Sequence, residues 1–193
     1  MADNTKDKLI DAAVSLIAVK GFNSTGIAEI LAQVKVPKGS FYHYFKSKDD
    51  LGLAVIDHYG HLLCEGLATF LETTPGSPLT RLRLYFEGVL AYFGEHFGRC
   101  NCLLGNLGQE LALQSDAMRH AIYRHYEGVE RLIAGCLDEA KSAGELAAEA
   151  DTCLLARQLF AAWEGCLIRA KLQQNTQPLE ELLALYFGQW LKP

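Results

Sequence analysis

The sequence predicts an all-α chain of about nine helices, with a three-helix N-terminal head on a larger helical bundle. Three observations predict it. Valine and isoleucine are scattered rather than alternating with polar residues, and no Asn-Gly or Asp-Gly hairpin turn occurs. Apolar residues recur instead at helical spacing. Breaks fall between the periodic stretches, at Gly21, Gly98, Gly144 and Pro178 and in the run Thr73-Thr74-Pro75-Gly76-Ser77-Pro78.

Each element has a local reason. The first helix is expected over residues 5–20, with Asn4 as its cap, Asp7 three residues on, and a stripe of Leu9, Ala12, Ala13, Leu16 and Ile17. Gly21 ends it as a left-handed cap and Phe22 folds back as the apolar contact. A short second helix spans 27–34, with Ser24 or Thr25 as available caps. Pro37 opens a third at Lys38–Tyr44, and Ser47 caps a long fourth reaching about Leu71. Five more are expected at about 79–97, 102–113, 116–142, 149–174 and 178–191. By role, residues 1–48 form the head and 49–193 the sensing and dimerisation body.

Composition narrows the function. The 193 residues are 50% hydrophobic and 21% charged, which suits a globular chain with a real core. No apolar run is long enough to span a bilayer, and residues 1–6 lack the apolar stretch of a secretory signal, so a cytoplasmic location is expected and no membrane partner. The six cysteines are then expected as thiols. The net charge of −5 hides an asymmetry: residues 5–48 carry seven lysines against three acids, whereas the rest of the chain is acidic. A basic head on an acidic body can dock on phosphates while the body stays soluble.

Two short helices joined by a tight turn and backed by a first helix form a helix-turn-helix. On the third helix Phe41, Tyr44 and Phe45 share one side, ready to pack beneath Leu16, Ile30 and Leu31. Gly39, Tyr42, His43 and Lys46 share the other: a residue without a side chain, a phenol, an imidazole and a cation. Such a helix can enter a major groove with its N-terminal residues at the base edges. Lys38 and Ser40 stand at that N-terminus, where the helix dipole attracts phosphate, and Lys48 offers a second clamp. A small bundle using the same aromatics as core is the competing reading of these residues.

The string Phe22-Asn23-Ser24-Thr25-Gly26-Ile27-Ala28-Glu29-Ile30-Leu31, followed by Val36-Pro37-Lys38-Gly39-Ser40-Phe41-Tyr42-His43-Tyr44-Phe45-Lys46-Ser47-Lys48-Asp49-Asp50-Leu51, closely resembles the DNA-binding head of TetR-family repressors. The resemblance covers residues 8–55. It implies an all-helical homodimer on a palindromic double-stranded operator, released by a small-molecule effector. Two positions depart from the family pattern. Lys35 stands where the turn usually carries glycine, at a cost of about 1 kcal/mol if its φ is positive. Gly26 replaces the second residue of a Thr-Thr pair, leaving the cap role to Thr25.

In the body, Leu155, Leu159, Ala162, Trp163, Cys166 and Ala170 follow helical spacing, as do Leu179, Leu182, Leu183, Tyr186, Phe187 and Trp190. This is more apolar surface than one helix pair needs, so a four-helix interface with a second copy is expected, built on Leu155, Leu159, Trp163, Leu183, Phe187 and Trp190. Phe70, Tyr85, Phe86, Tyr92, Phe93, Tyr123, Tyr126 and Trp163 are candidate walls of an effector pocket. Cys100 and Cys102 stand beside Arg99 at the start of a helix, and both the dipole and a cation favour thiolate. The stretches around Cys102 and Arg169-Ala170-Lys171-Leu172 resemble the NemR-like branch of the family, whose members respond to electrophiles or oxidants. That resemblance implies Cys102 as the sensing thiol and Lys171 as its partner. A small buried hydrophobe is the alternative for Cys102.

Catalysis is not expected. The chain has no glycine-rich phosphate loop, nucleophile elbow or metalloprotease motif, and no cofactor is indicated. His58, His61 and Glu65 share a helix face, but ligands on one helix rarely close a tetrahedron, so no metal is expected. A helical interaction or small-molecule-binding module without specific DNA binding is the remaining alternative.

Overall fold

The computed structural model describes the backbone of residues 2–97 and 102–191 and the side chains from residue 5 onward. Its regular structure is helical: α1 (Ala2–Lys20), α2 (Ile27–Val34), α3 (Lys38–Tyr44), α4 (Lys48–Thr73), α5 (Pro78–Glu95), α6 (Leu103–Leu111), α7 (Asp116–Ser142), α8 (Thr152–Gln173) and α9 (Gln177–Leu185), closed by a π-helical turn, Tyr186–Trp190. The chain forms two compact units. One joins Met1–Leu62 with Asn101–His125, and the other joins Leu63–Cys100 with Tyr126–Pro193.

The first unit contains the head. The backbone of α1 is helical from Ala2, so Asn4 is a helical position and not the predicted cap. Gly21 has φ +83 and its N–H donates to the Ile17 carbonyl at 2.8 Å, which ends α1 as expected. Thr25 does not cap α2. Its N–H bonds the Phe22 carbonyl, and this turn swings the hydroxyl back to donate to the Gly21 carbonyl at 2.7 Å. Gly26 occupies the cap position of α2, with no side-chain bond there. Lys35 takes the left-handed conformation, φ 58 and ψ 43, and its N–H closes on the Ala32 and Leu31 carbonyls. The family's glycine geometry is therefore kept with a lysine in it.

Ser47 caps α4 as predicted. Its Oγ accepts the Asp50 N–H at 3.1 Å, while the Asp50 carboxylate accepts the Lys46 N–H at 3.0 Å. The head's core is Leu9, Ala13, Ile17, Phe22, Ile30, Leu31, Phe41 and Phe45, all buried. Removing a side chain such as Phe41 from water is worth about 2–3 kcal/mol. Within the same unit α4 and α7 meet closely. A Cβ on Gly60 would lie 2.2 Å from the His125 ring, and His125 Nε2 sits 3.0 Å from the Asp57 carboxylate.

The second unit is organised by aromatic rings. Phe70, Tyr85, Phe86 and Trp163 make a continuous edge-to-face run with centroids 4.9–5.5 Å apart. Tyr126 meets Phe160 in the same way at 4.9 Å. Asp151 caps α8 by accepting the Leu154 N–H at 2.9 Å, which starts that helix later than the sequence suggested. At the other end α9 loosens into its π turn. The fully buried Tyr186 is tied through its hydroxyl to the Leu155 carbonyl, and the Leu191 N–H reaches five residues back to the Tyr186 carbonyl.

Candidate nucleic-acid interface and sensing cysteine

Helix α3 is held by its inner side. Phe41 is wholly buried and Phe45 nearly so, with their rings 5.6 Å apart. Tyr42 is therefore turned outward, 52% exposed, and His43 is exposed beside it. Gly39 faces open space, and Lys38 and Lys46 are exposed. The Lys38 ammonium lies 6.0 Å over the Tyr42 ring, so cation and phenol share one surface. Ser40 is half-buried; Lys35, on its left-handed turn, and Gly26 are exposed.

One predicted DNA contact, Thr25, stands elsewhere, and a second, Lys48, is partly engaged by the head itself. Thr25 is 1% exposed, and its hydroxyl is engaged by the Gly21 carbonyl, so it shapes the head and lies off its outer surface. Lys48 is half-buried. Its ammonium donates to the Asn23 carbonyl at 3.1 Å and lies 4.6 Å over the Phe22 ring. Three residues not singled out from the sequence also meet at this turn. Glu110 and Gln114 come from the far end of α6 and beyond it, and Asn23 donates to both. An outward glutamate on an amphipathic helix reads as a solvated residue, and no local spacing signals a partner 87 positions away.

Cys102 is the cap residue of α6, with φ −71 and ψ 109, and its Sγ accepts the Gly105 N–H at 3.4 Å. It is half-buried and belongs to the same compact unit as the head. Cys100 lies outside the described residues. Burial pushes the thiols of Cys64, Cys136 and Cys166 up, Cys136 to about 11, which keeps these three protonated near neutral pH. Tyr123, in the first unit, is 60% exposed. In the second unit Trp163 is buried edge-on to Phe86, and Lys171 is half-buried in the last turn of α8.

The predicted dimer residues require a correction. Leu159, Trp163 and Leu183 are buried in the core of their own unit, so they are not the surface offered to a second copy. Leu155 and Phe187 are half-buried, and Trp190 is half-exposed. The outward side of α8 carries a different apolar row: Leu154, Ala161, Gly165, Ile168 and Leu172.

An outward recognition helix on a three-helix head, carried by an all-helical body, defines a helix-turn-helix regulator that reads DNA. Residues 9–55 match the model of bacterial regulatory proteins of the tetR family, and residues 78–186 match the tetracyclin repressor-like C-terminal domain. The chain belongs to the tetR family of regulators; it is not an enzyme. It is 40% identical over 171 residues to the transcriptional regulator AcuR of Cereibacter sphaeroides, covering 89% of this chain and 78% of that protein. It is 30% identical over 181 residues to the transcriptional repressor NemR of Escherichia coli K12, covering 94% and 91%. The crystal structure of reduced E. coli NemR superposes with a TM-score of 0.91 at 29% identity, covering 98% of this chain and 97% of that one.

Proposed function

We infer that the chain is a one-component repressor: a homodimer that grips a palindromic operator and lets go when Cys102 is modified by an electrophile. The observation that carries the DNA-reading half is the outward row of Lys38, Gly39, Tyr42 and His43 on a helix anchored by Phe41 and Phe45. Tyr42 and His43 supply donors and an acceptor to base edges, and Gly39 lets the backbone approach. Lys35, Lys38, Lys46 and Lys48, with the first amides of α3, bind phosphates and set the register. Residues 1–48 read DNA and 49–193 sense and dimerise. The packing units, which join α6 to the head, do not follow that division by role.

The dimer face is the outward row of α8, with the exposed Ala184 and Gly188 beside it on the last helix and its π turn. Small residues let two helices approach, and Leu154, Ile168 and Leu172 supply the apolar area. The effector is an α,β-unsaturated carbonyl or similar electrophile. The Cys102 thiolate forms a C–S bond to the β carbon, the π pair shifts to the α carbon, and that carbon takes up a proton. Adding an adduct to a half-buried cap residue disturbs the first turn of α6. Release by 100-fold requires the modified protein to favour its unbound form by about 2.7 kcal/mol. The site of action is the cytoplasm, where the operator is.

The test uses a duplex selected by the protein from a random pool, read by fluorescence anisotropy with and without N-ethylmaleimide. Wild type binds and is released. Y42A/H43A does not bind, while its circular dichroism and dimer mass stay native. C102S binds and ignores the reagent. Affinity retained by the double variant removes α3 from the contact surface, and release of C102S moves sensing to another residue.

A further inference from the structure

The turn between α1 and α2 is held by a carboxylate from far along the chain. Glu110, in the last turn of α6, accepts the Phe22 N–H at 2.8 Å through Oε2 and the Asn23 N–H at 2.7 Å through Oε1. Bonds from two amides to one carboxylate are charge-assisted and fix its orientation. Gly21 makes room for it: a Cβ there would lie 2.9 Å from Glu110 Oε2, so glycine serves both the left-handed backbone and the carboxylate's seat. Gln114 braces the arrangement, donating to the Glu110 carbonyl at 2.6 Å and accepting from Asn23 Nδ2 at 3.1 Å.

The same turn is also engaged by Lys48, whose ammonium donates to the Asn23 carbonyl at 3.1 Å. An ammonium has three donors, so one spent on Asn23 leaves two for a phosphate. A chain of contacts therefore runs through one compact unit. It starts at Cys102, the cap of α6, follows that nine-residue helix to Glu110, crosses Phe22 and Asn23, and ends at Lys48 on the first turn of α4. Local side chains such as Ser24 stand next to these amides, yet the turn takes its acceptor from α6.

We propose that Glu110 is the positioning residue through which α6 governs the head. Its carboxylate holds Asn23 so that Lys48 is aimed at phosphate, and displacement of the α6 N-terminus at Cys102 withdraws that aim. The proposal deepens the reading above, since it takes from it the roles of Lys48 and Cys102. Glu110 itself touches no DNA.

A purely structural tie would weaken operator binding by the same factor whatever stands at position 48, and would leave the ratio of modified to unmodified affinity intact. Two measurements separate the cases. In the first, operator Kd is read for wild type, Glu110→Ala, Lys48→Met and the double variant. Glu110→Ala weakens binding about fivefold in the wild-type background and less than twofold when Lys48 is already gone. Losses that multiply independently overturn the proposal.

In the second, N-ethylmaleimide is added and the Cys102 adduct confirmed by mass. Wild type loses at least tenfold in affinity, whereas labelled Glu110→Ala changes less than twofold. An undiminished response overturns the coupling role. A wild type indifferent to the reagent removes Cys102 as the sensor instead, and the Kd cycle alone then decides for or against Glu110. If Glu110→Ala does not fold, Glu110→Gln, which keeps one acceptor oxygen, takes its place in both measurements with a partial effect expected.

Discussion

Lys35 holds a backbone that costs an L-residue about 1–2 kcal/mol, at φ 58. Its side chain is exposed, so little packing offsets the strain. Lys35→Gly is expected to raise stability by about 0.5–1 kcal/mol, since glycine relieves the strain but adds freedom to the unfolded chain. Urea denaturation checks this, and a lower midpoint would mean that the lysine stem contributes more than the backbone loses. This departure was visible in the sequence because the resemblance supplied an expected glycine to miss. Thr25 was not legible in the same way. A threonine just before a helix reads as a cap, and only the Phe22–Thr25 turn, which aims the hydroxyl backward, shows otherwise.

At the level of the helix, α8 shows why spacing alone does not pick out an outward face. Two apolar rows run along it, one through Leu155, Leu159, Trp163, Cys166 and Ala170, the other through Leu154, Ala161, Gly165, Ile168 and Leu172. Helical spacing identifies both, but it carries no information on which row the chain's own aromatic core will claim. Phe86, edge-on to Trp163, decides it. The two rows should fail differently. Ile168→Glu is expected to give monomers by light scattering with native circular dichroism. Trp163→Arg is expected to cost about 3–5 kcal/mol and lose the fold, because it removes a buried ring and buries a charge. A native monomer from Trp163→Arg, or a dimer surviving Ile168→Glu, would reverse the assignment. By contrast, the ranges expected for α2 and α3 agree with the structure, since Pro37 opens α3, although the cap of α2 is Gly26 and not the expected Ser24 or Thr25.

For the molecule as a whole, a net charge of −5 looks unsuited to DNA until the lysines are placed. Lys35, Lys38, Lys46 and Lys48 from each of two heads would neutralise about eight phosphates, so the logarithm of operator affinity should fall with the logarithm of salt at a slope of about −7. Lys46→Gln should lower that slope by about 2, one contact per head. A slope near zero would mean that charge does not drive the association. The overall fold class was readable because helix periodicity is local. The tie from Glu110 to Phe22 and Asn23 was not, because it joins segments whose proximity only the finished fold creates.

Helical proteins are commonly hardened by replacing helix glycines with alanine, for about 0.5–1 kcal/mol at each site. Gly66 and Gly88 can take the added methyl in empty surroundings. Gly60 cannot, because the methyl would fall 2.2 Å from an imidazole carbon of His125. A heat-tolerant biosensor engineered from this chain must leave that position bare, and Gly52 as well, where the methyl would fall 2.6 Å from the Phe22 ring.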